Sequence, residues 1–244
     1  MPIFVLVHGA WQSAATWDLL TPLLQEQGHT VVTPILSGLG TAETLLSPDV
    51  SLAQHIRDVC SELLKFKQPV VLVGHSYAGM IISGVAEQVP SMVEHLVFLD
   101  AFIPNDGQCA LDLLPTEIGR YFQSIAREHG AGWRLPAGEG QLDLWGLNPG
   151  EARDFVSARL CDFSLRCFQE PICLPNDRKS RLPGTFVSCV ADGYPAKPFF
   201  QPFADTALSY GWHVIQMDTG HDCHVERPRE VANVLLSISL PVGK

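Results

Sequence analysis

Positive charge is scarce in this chain. Lys and Arg total 16 against 26 Asp and Glu, a formal net charge of −10 over 244 residues. No run of Lys or Arg gathers anywhere. A nucleic-acid binder displaces counterions with clustered cations, so that class is excluded. The acidity serves solubility. Charged residues make up 17% and hydrophobic ones 46%, a globular balance and not a disordered one. No apolar run reaches the roughly 20 residues that span a bilayer, so no membrane partner is expected. The start, MPIFVLVHG, lacks a basic segment followed by a long apolar stretch and cleavage site, and a cytoplasmic location is expected. The seven cysteines include no Cys-x-x-Cys pair. Cys161, Cys167 and Cys173 are six apart, which fits no zinc-ligand pattern, and reduced thiols are the simplest reading. G-x-G-x-x-G, a P-loop lysine and metal-ligand spacing are all missing, so neither cofactor nor metal is expected.

What is present is an alternation. Ile3 to Val7, IFVLV, is a continuous apolar run of the kind found in strands covered on both faces. A helix is expected from about Trp17 to Gln27, with Thr16 as N-cap and Gly28 at its end. His29 to Thr33 reads as a short strand and residues 34–50 as loop. Ser51 to Lys67 is the clearest helix: Ser51 caps it, and Leu52, Ile56, Val59 and Leu63 form one apolar stripe. Further strands are expected at Val70 to Val73, Leu96 to Leu99, Thr185 to Val190 and His213 to Met217. Helices are expected at Ala78 to Val89, around Phe199 to Tyr210, and from Pro228 to Ser237. This order predicts an α/β fold, a mostly parallel sheet with helices on both faces. Residues 105–183 show helical patches and no convincing strand. They are expected to form a lid over a core made of residues 1–104 and 184–244.

The stretch PVVLVGHSYAGM puts Ser76 between a strand and a helix. That is the context of a nucleophile elbow, G-x-S-x-G, although here Ala78 holds the fifth position and Gly79 follows it. The turn is tight, so its neighbours must be small. The amides at the start of the next helix favour negative charge developing on the serine. Serine needs a base. His221, in DTGHD just past the last expected strand, would reach the sheet edge where such sites form, with His224 as its rival. The base needs a carboxylate to hold its tautomer. Asp192, after TFVSCV, completes the chain order Ser, Asp, His; Asp100, also at a strand end, competes for the role. The oxyanion needs two amide donors, assigned to Tyr77, which follows the nucleophile, and Ala10 in HGAW. Gly9 and Trp11 in that turn, with Trp133 and Trp145 in the lid, are the candidate substrate contacts.

These pieces together resemble the α/β-hydrolase superfamily, in its small-lid branch of plant methylesterases, hydroxynitrile lyases and bacterial esterase relatives. The resemblance rests on FVLVHGAW, LLQEQGH, TPILSGLG with LLSPDVSL, VVLVGHSYAGM, LVFLDAFIPNDGQ and DTGHD. The lid matches by length and position only. The resemblance implies the α/β-hydrolase fold with a helical lid and a cofactor-free serine hydrolase. Hydroxynitrile lyases of this branch carry threonine after the HG-equivalent histidine and lysine after the catalytic histidine; this chain has Gly9 and Asp222 there. The expectation is therefore hydrolysis of a small-to-medium apolar carboxylic ester through an acyl-enzyme at Ser76. The alternatives are lyase-like carbon–carbon cleavage, a biosynthetic thioesterase or hydrolase, and a non-catalytic small-molecule receptor. A homodimer is compatible with all of them.

Overall fold

The computed structural model describes residues 1–40 and 45–238. Positions 41–44 of the expected 34–50 loop lie outside the described residues. Strands and helices alternate in the expected order. They are β1 (Ile3–Val7), α1 (Thr21–Gln25), β2 (Thr30–Val32), α2 (Leu52–Leu63), β3 (Val70–His75), α3 (Ala78–Gln88) and β4 (Val93–Leu99). There follow α4 (Thr116–His129), β5 (Arg134–Leu135), α5 (Glu139–Leu144), α6 (Glu151–Ser157), β6 (Phe163–Ser164) and α7 (Arg166–Gln169). The chain then resumes with β7 (Gly184–Cys189), α8 (Lys197–Ser209), β8 (His213–Met217), α9 (Cys223–Glu226) and α10 (Pro228–Ile238).

Six of these strands form one sheet in the order β2-β1-β3-β4-β7-β8. Every neighbouring pair is parallel, for example Val5 beside Leu72 and Gly74 beside Phe98. The central strands carry almost unbroken buried residues, Phe4 to Val7 and Val70 to His75 among them, because helices cover both faces. All five strand ends that matter here, those of β1, β3, β4, β7 and β8, therefore open on one edge of the sheet.

The differences from expectation are local. The first helix is shorter than expected: a 3-10 turn spans Ala14–Trp17 and α1 starts only at Thr21. Thr16 is not its cap; its hydroxyl pairs with His224 Nε2 at 2.9 Å, a tertiary bond that outcompetes the local one. Ser51 does cap α2, accepting from the Gln54 amide. Between β4 and β7 the chain is helical apart from the antiparallel pair β5 and β6, in which Leu135 faces Phe163. Two-residue strands are too short to leave a periodic signal. Among the described residues no helix is long and apolar enough to cross a membrane.

Candidate active site

Ser76 sits in the sharp turn from β3 into α3 with φ 58, a left-handed conformation that costs an ordinary residue about 1–2 kcal/mol. The surroundings hold it there. Its amide donates to the Leu99 carbonyl at 3.2 Å and its carbonyl accepts from Phe102 at 3.2 Å and Gly79 at 3.0 Å. Two glycines make the close packing possible. A Cβ on Gly79 would lie 2.0 Å from the Phe102 carbonyl oxygen, and one on Gly9 would lie 2.9 Å from the Ser76 Cβ. The close approach of the elbow therefore falls on Gly79. Ala78 is fully buried, so its methyl is accommodated within the packed elbow.

His221 follows β8 and is 1% exposed. Its amide donates to the Trp145 carbonyl at 2.8 Å, and its carbonyl accepts from His75 Nε2 at 3.0 Å, so the loop is clamped from both sides. Its Nδ1 is 2.7 Å from Asp100 Oδ2. Its Nε2 has no protein partner among the described residues. Ser76 and His221 line one cavity, together with Ala10, Trp11 and Trp145.

The carboxylate at His221 is that of Asp100 and not Asp192. Asp100 ends β4 at φ 44, buried, with its amide on the Val187 carbonyl at 2.8 Å. Its Oδ1 accepts from the Cys189 amide at 3.2 Å. Asp192 is fully exposed, with the Lys197 ammonium 3.9 Å away. The reason lies in the turn after β7. The Ala191 amide donates to Thr219 and the Tyr194 amide to Ala191, which turns Asp192 outward and Tyr194 inward. The Tyr194 hydroxyl donates to Asp100 Oδ2 at 2.7 Å and lies 2.9 Å from His221 Nδ1. Tyr194 is the residue sequence reasoning missed. A phenol in GYP carries no catalytic signature, and nothing short of the folded turn would point to it.

Burial disfavours charge on both members of the pair. It pushes His221 down, and it pushes Asp100 up to about 7, while the Tyr194 hydroxyl and the Cys189 amide pull the carboxylate back down. His221 is therefore neutral, with Nδ1–H directed at Asp100 and the Nε2 lone pair available. Among the described residues no acceptor is paired with the Ala10 or Tyr77 amides, the two donors expected to meet an oxyanion. The β1 turn that carries Ala10 is fixed by Trp11, at φ 60, whose carbonyl accepts from Cys161 at 2.8 Å and whose indole donates to Leu135 at 3.2 Å.

Two expected substrate contacts fall elsewhere. Gly9 lies beneath Ser76 and does not line the cavity; its role is close packing. Trp133 also stays out of the cavity. It sits in the turn between α4 and β5, half-buried, its carbonyl held by the Leu165 amide. Asp222 is buried as well, bonded to Gln12 Nε2 at 2.5 Å and absent from the cavity wall.

Folding also makes a grouping that spacing did not reveal. His75, Asp222 and His224 bring one ligand atom each within 4.8 Å of the others, all buried, a set able to hold a metal ion. His75 and Asp222 are 147 positions apart, so no spacing rule finds them. Asp222 is raised to about 7 by burial, with the Gln12 amide opposing.

The comparisons concern the family and the fold. The model of the alpha/beta hydrolase family matches residues 4–234. A carbendazim hydrolyzing esterase from Nocardioides sp. (strain SG-4G) is 32% identical over 249 residues, covering 98% of this chain and all of that protein. Putative methylesterase 11 of Arabidopsis thaliana is 34% identical over 119 residues, 48% of this chain and 30% of that one. Among solved structures, an extracellular alpha/beta-hydrolase from a Paenibacillus species, described as sharing homology with tobacco salicylic acid binding protein 2, superposes with a TM-score of 0.83. It is 25% identical and covers 97% of this chain and 98% of that one. The chain belongs to the alpha/beta hydrolase family, as an esterase-type member.

Proposed function

We propose that this protein is a serine carboxylesterase acting on a small-to-medium apolar ester. One observation carries the reading: Ser76, strained at φ 58 at a strand-to-helix turn, lines the same cavity as His221, whose Nδ1 meets Asp100 and whose Nε2 has no protein partner among the described residues. In this reading Ser76 Oγ attacks the acyl carbon and its proton passes to His221 Nε2. Asp100 holds the tautomer and stabilises the imidazolium. The Ala10 and Tyr77 amides receive the oxyanion. His221 returns the proton to the departing alcohol, and water, activated by the same base, releases the acyl group. The full-length carbendazim hydrolyzing esterase relative supports an ester-cleaving role. The cavity wall of Trp11, Phe102, Phe122, Trp145 and Phe200 supports an apolar substrate.

The test is p-nitrophenyl acetate turnover together with labelling by a fluorophosphonate probe. Turnover with label on Ser76, both lost in Ser76→Ala, is expected. A protein that shows neither in its wild-type form is not a serine esterase.

A further inference from the structure

Next to Ser76 and His221 lies a buried polar group that ester chemistry does not use. His75 ends β3, one residue before Ser76. Asp222 follows His221, and His224 lies in α9. One ligand atom from each is within 4.8 Å of the others, and the His75 and His224 rings are 4.5 Å apart. All three side chains are buried to within 1%. Hydrogen bonding fixes what His75 offers. Its Nε2 is 3.0 Å from the His221 carbonyl, which only accepts, so the proton is on Nε2 and Nδ1 is a bare lone pair. A metal-ligating histidine is held in the same way, with its second ring N–H on a carbonyl. Asp222 Oδ1 accepts from Gln12 Nε2 at 2.5 Å. Asp222 Oδ2, His75 Nδ1 and His224 Nδ1 have no protein partner among the described residues. His8 adds a further bare acceptor. Its Nδ1 donates to the Gly9 carbonyl at 3.0 Å, and its buried Nε2 has no protein partner among the described residues either. Buried acceptors without donors are costly. One water has too few protons for them all, whereas a single cation serves them together.

We propose that His75, Asp222 and His224 form a buried structural site for a zinc ion. Two neutral imidazoles and a carboxylate suit zinc, whereas calcium and magnesium take oxygen ligands. Zinc–ligand bonds of about 2.1 Å put neighbours in a tetrahedron about 3.4 Å apart, so side-chain shifts of about 1 Å close the group on the ion. A structural zinc takes four ligands. His8, close enough to His75 and His224 for their charges to interact, is the candidate for the fourth. The ion ties the turn that carries Ser76 to the loop that carries His221 and, through Gln12 and His8, to the turn after β1. None of these ligands lines the cavity at Ser76, so the ion meets no substrate and acts on stability. Because the group is buried, zinc enters as the chain folds.

Refolding tests the proposal. The full chain is unfolded in urea with a chelator, freed of chelator, refolded with equimolar ZnCl2 or with no metal, desalted, and its zinc measured by elemental analysis. Chain expressed in zinc-supplemented medium gives the same readout without refolding. Wild-type protein should retain zinc in a one-to-one ratio and melt about 5 °C or more above the metal-free chain. CoCl2 in place of ZnCl2 should give the visible absorption of a tetrahedral ion with nitrogen and oxygen ligands, a readout that needs no variant. Asp222→Asn keeps an acceptor for Gln12 and removes the charge; it should lower retained zinc tenfold or more and abolish the melting shift. Cys173→Ser removes an exposed thiol and should keep the zinc. Ser76→Ala should keep it too, whatever the ester assays show, so the site and the esterase reading stand or fall separately. Wild-type protein that folds and retains no zinc overturns the site, as does Asp222→Asn holding as much zinc as wild type. Zinc lost in Cys173→Ser, or a cobalt spectrum showing thiolate ligation, overturns it as well.

Discussion

Replacing Asp100 by Asn, beside the same change at Asp192, separates two carboxylates that look alike in the sequence. Asn suits the backbone at position 100, since it tolerates φ 44 better than most residues. Its carbonyl oxygen can still accept from the Cys189 amide. The other carboxylate oxygen is the one that faces His221 Nδ1 at 2.7 Å and the Tyr194 hydroxyl at 2.7 Å. An amide nitrogen there donates where it must accept. His221 then keeps its proton on Nε2 and cannot act as a base. The same Asp-to-Asn change in the triad of a serine protease leaves the histidine in the wrong tautomer and lowers kcat by about 10⁴-fold. For Asp100→Asn we expect a fall in kcat/KM of about 10³- to 10⁴-fold, which is about 4–5.5 kcal/mol of transition-state stabilisation at about 1.36 kcal/mol per tenfold. Asp192→Asn removes an exposed charge 3.9 Å from Lys197 and should leave kcat/KM within twofold. The assay is p-nitrophenyl acetate turnover, with circular dichroism to confirm that both variants fold. A folded Asp100→Asn enzyme with near-normal activity, or a crippled Asp192→Asn enzyme, would refute the assignment.

Three further outcomes are expected. Tyr194→Phe removes a hydrogen bond that favours the Asp100 carboxylate, so its pKa rises further and the acid limb of kcat/KM moves to higher pH; a hydrogen bond to a charged group is worth about 1.5–3 kcal/mol, so the shift should be of the order of one unit, and an unmoved limb counts against the role. Gly79→Ala places a methyl 2.0 Å from the Phe102 oxygen and should lower Tm sharply with loss of activity, whereas Ala78→Gly should cost no more than about 1 kcal/mol and retain activity; equal behaviour of the two in thermal melts would refute the placement of the close approach. Burial lowers His8 to about 4 and also lowers His55, His75 and His224, so these groups bind protons on unfolding; their stabilisation is complete above the unfolded value near 6.5 and is lost as pH falls towards 4, about 3 kcal/mol for His8 alone. Asp100 and Asp222, both raised to about 7, have the opposite slope but are outnumbered, so urea midpoints should drop between pH 6.5 and 4.5, and midpoints that rise would contradict the neutral histidines.

Much of the fold is written in local patterns. Runs such as IFVLV and PVVLVG read as covered strands because both faces are buried, and Ser51 with its apolar stripe reads as a capped helix. Gly74-His75-Ser76 between such a strand and helix marks the elbow, since few other residue types fit that turn. That Ser76 and His221 meet in one cavity was legible for that reason: each follows a strand, and parallel strands end together. The carboxylate beside His221 was not. Asp100 and Asp192 both follow strands, and the choice between them depends on a few hydrogen bonds in the turn after β7, which face Tyr194 inward and Asp192 to solvent. Asp100 and Asp192 both lie between Ser76 and His221, and the expected strand pointed to Asp192 because it describes where an acid can come from, not which side chain the turn presents. Residues 105–183 were least legible of all. Trp145 lines the cavity and Trp133 does not, although the two are alike in the sequence. Strand, helix and elbow follow from contacts near in sequence. The partner of His221 follows from a contact across 121 positions and the pocket wall from contacts as distant as Trp11 and Cys161, 150 positions apart, which only the packed sheet and residues 105–183 bring together.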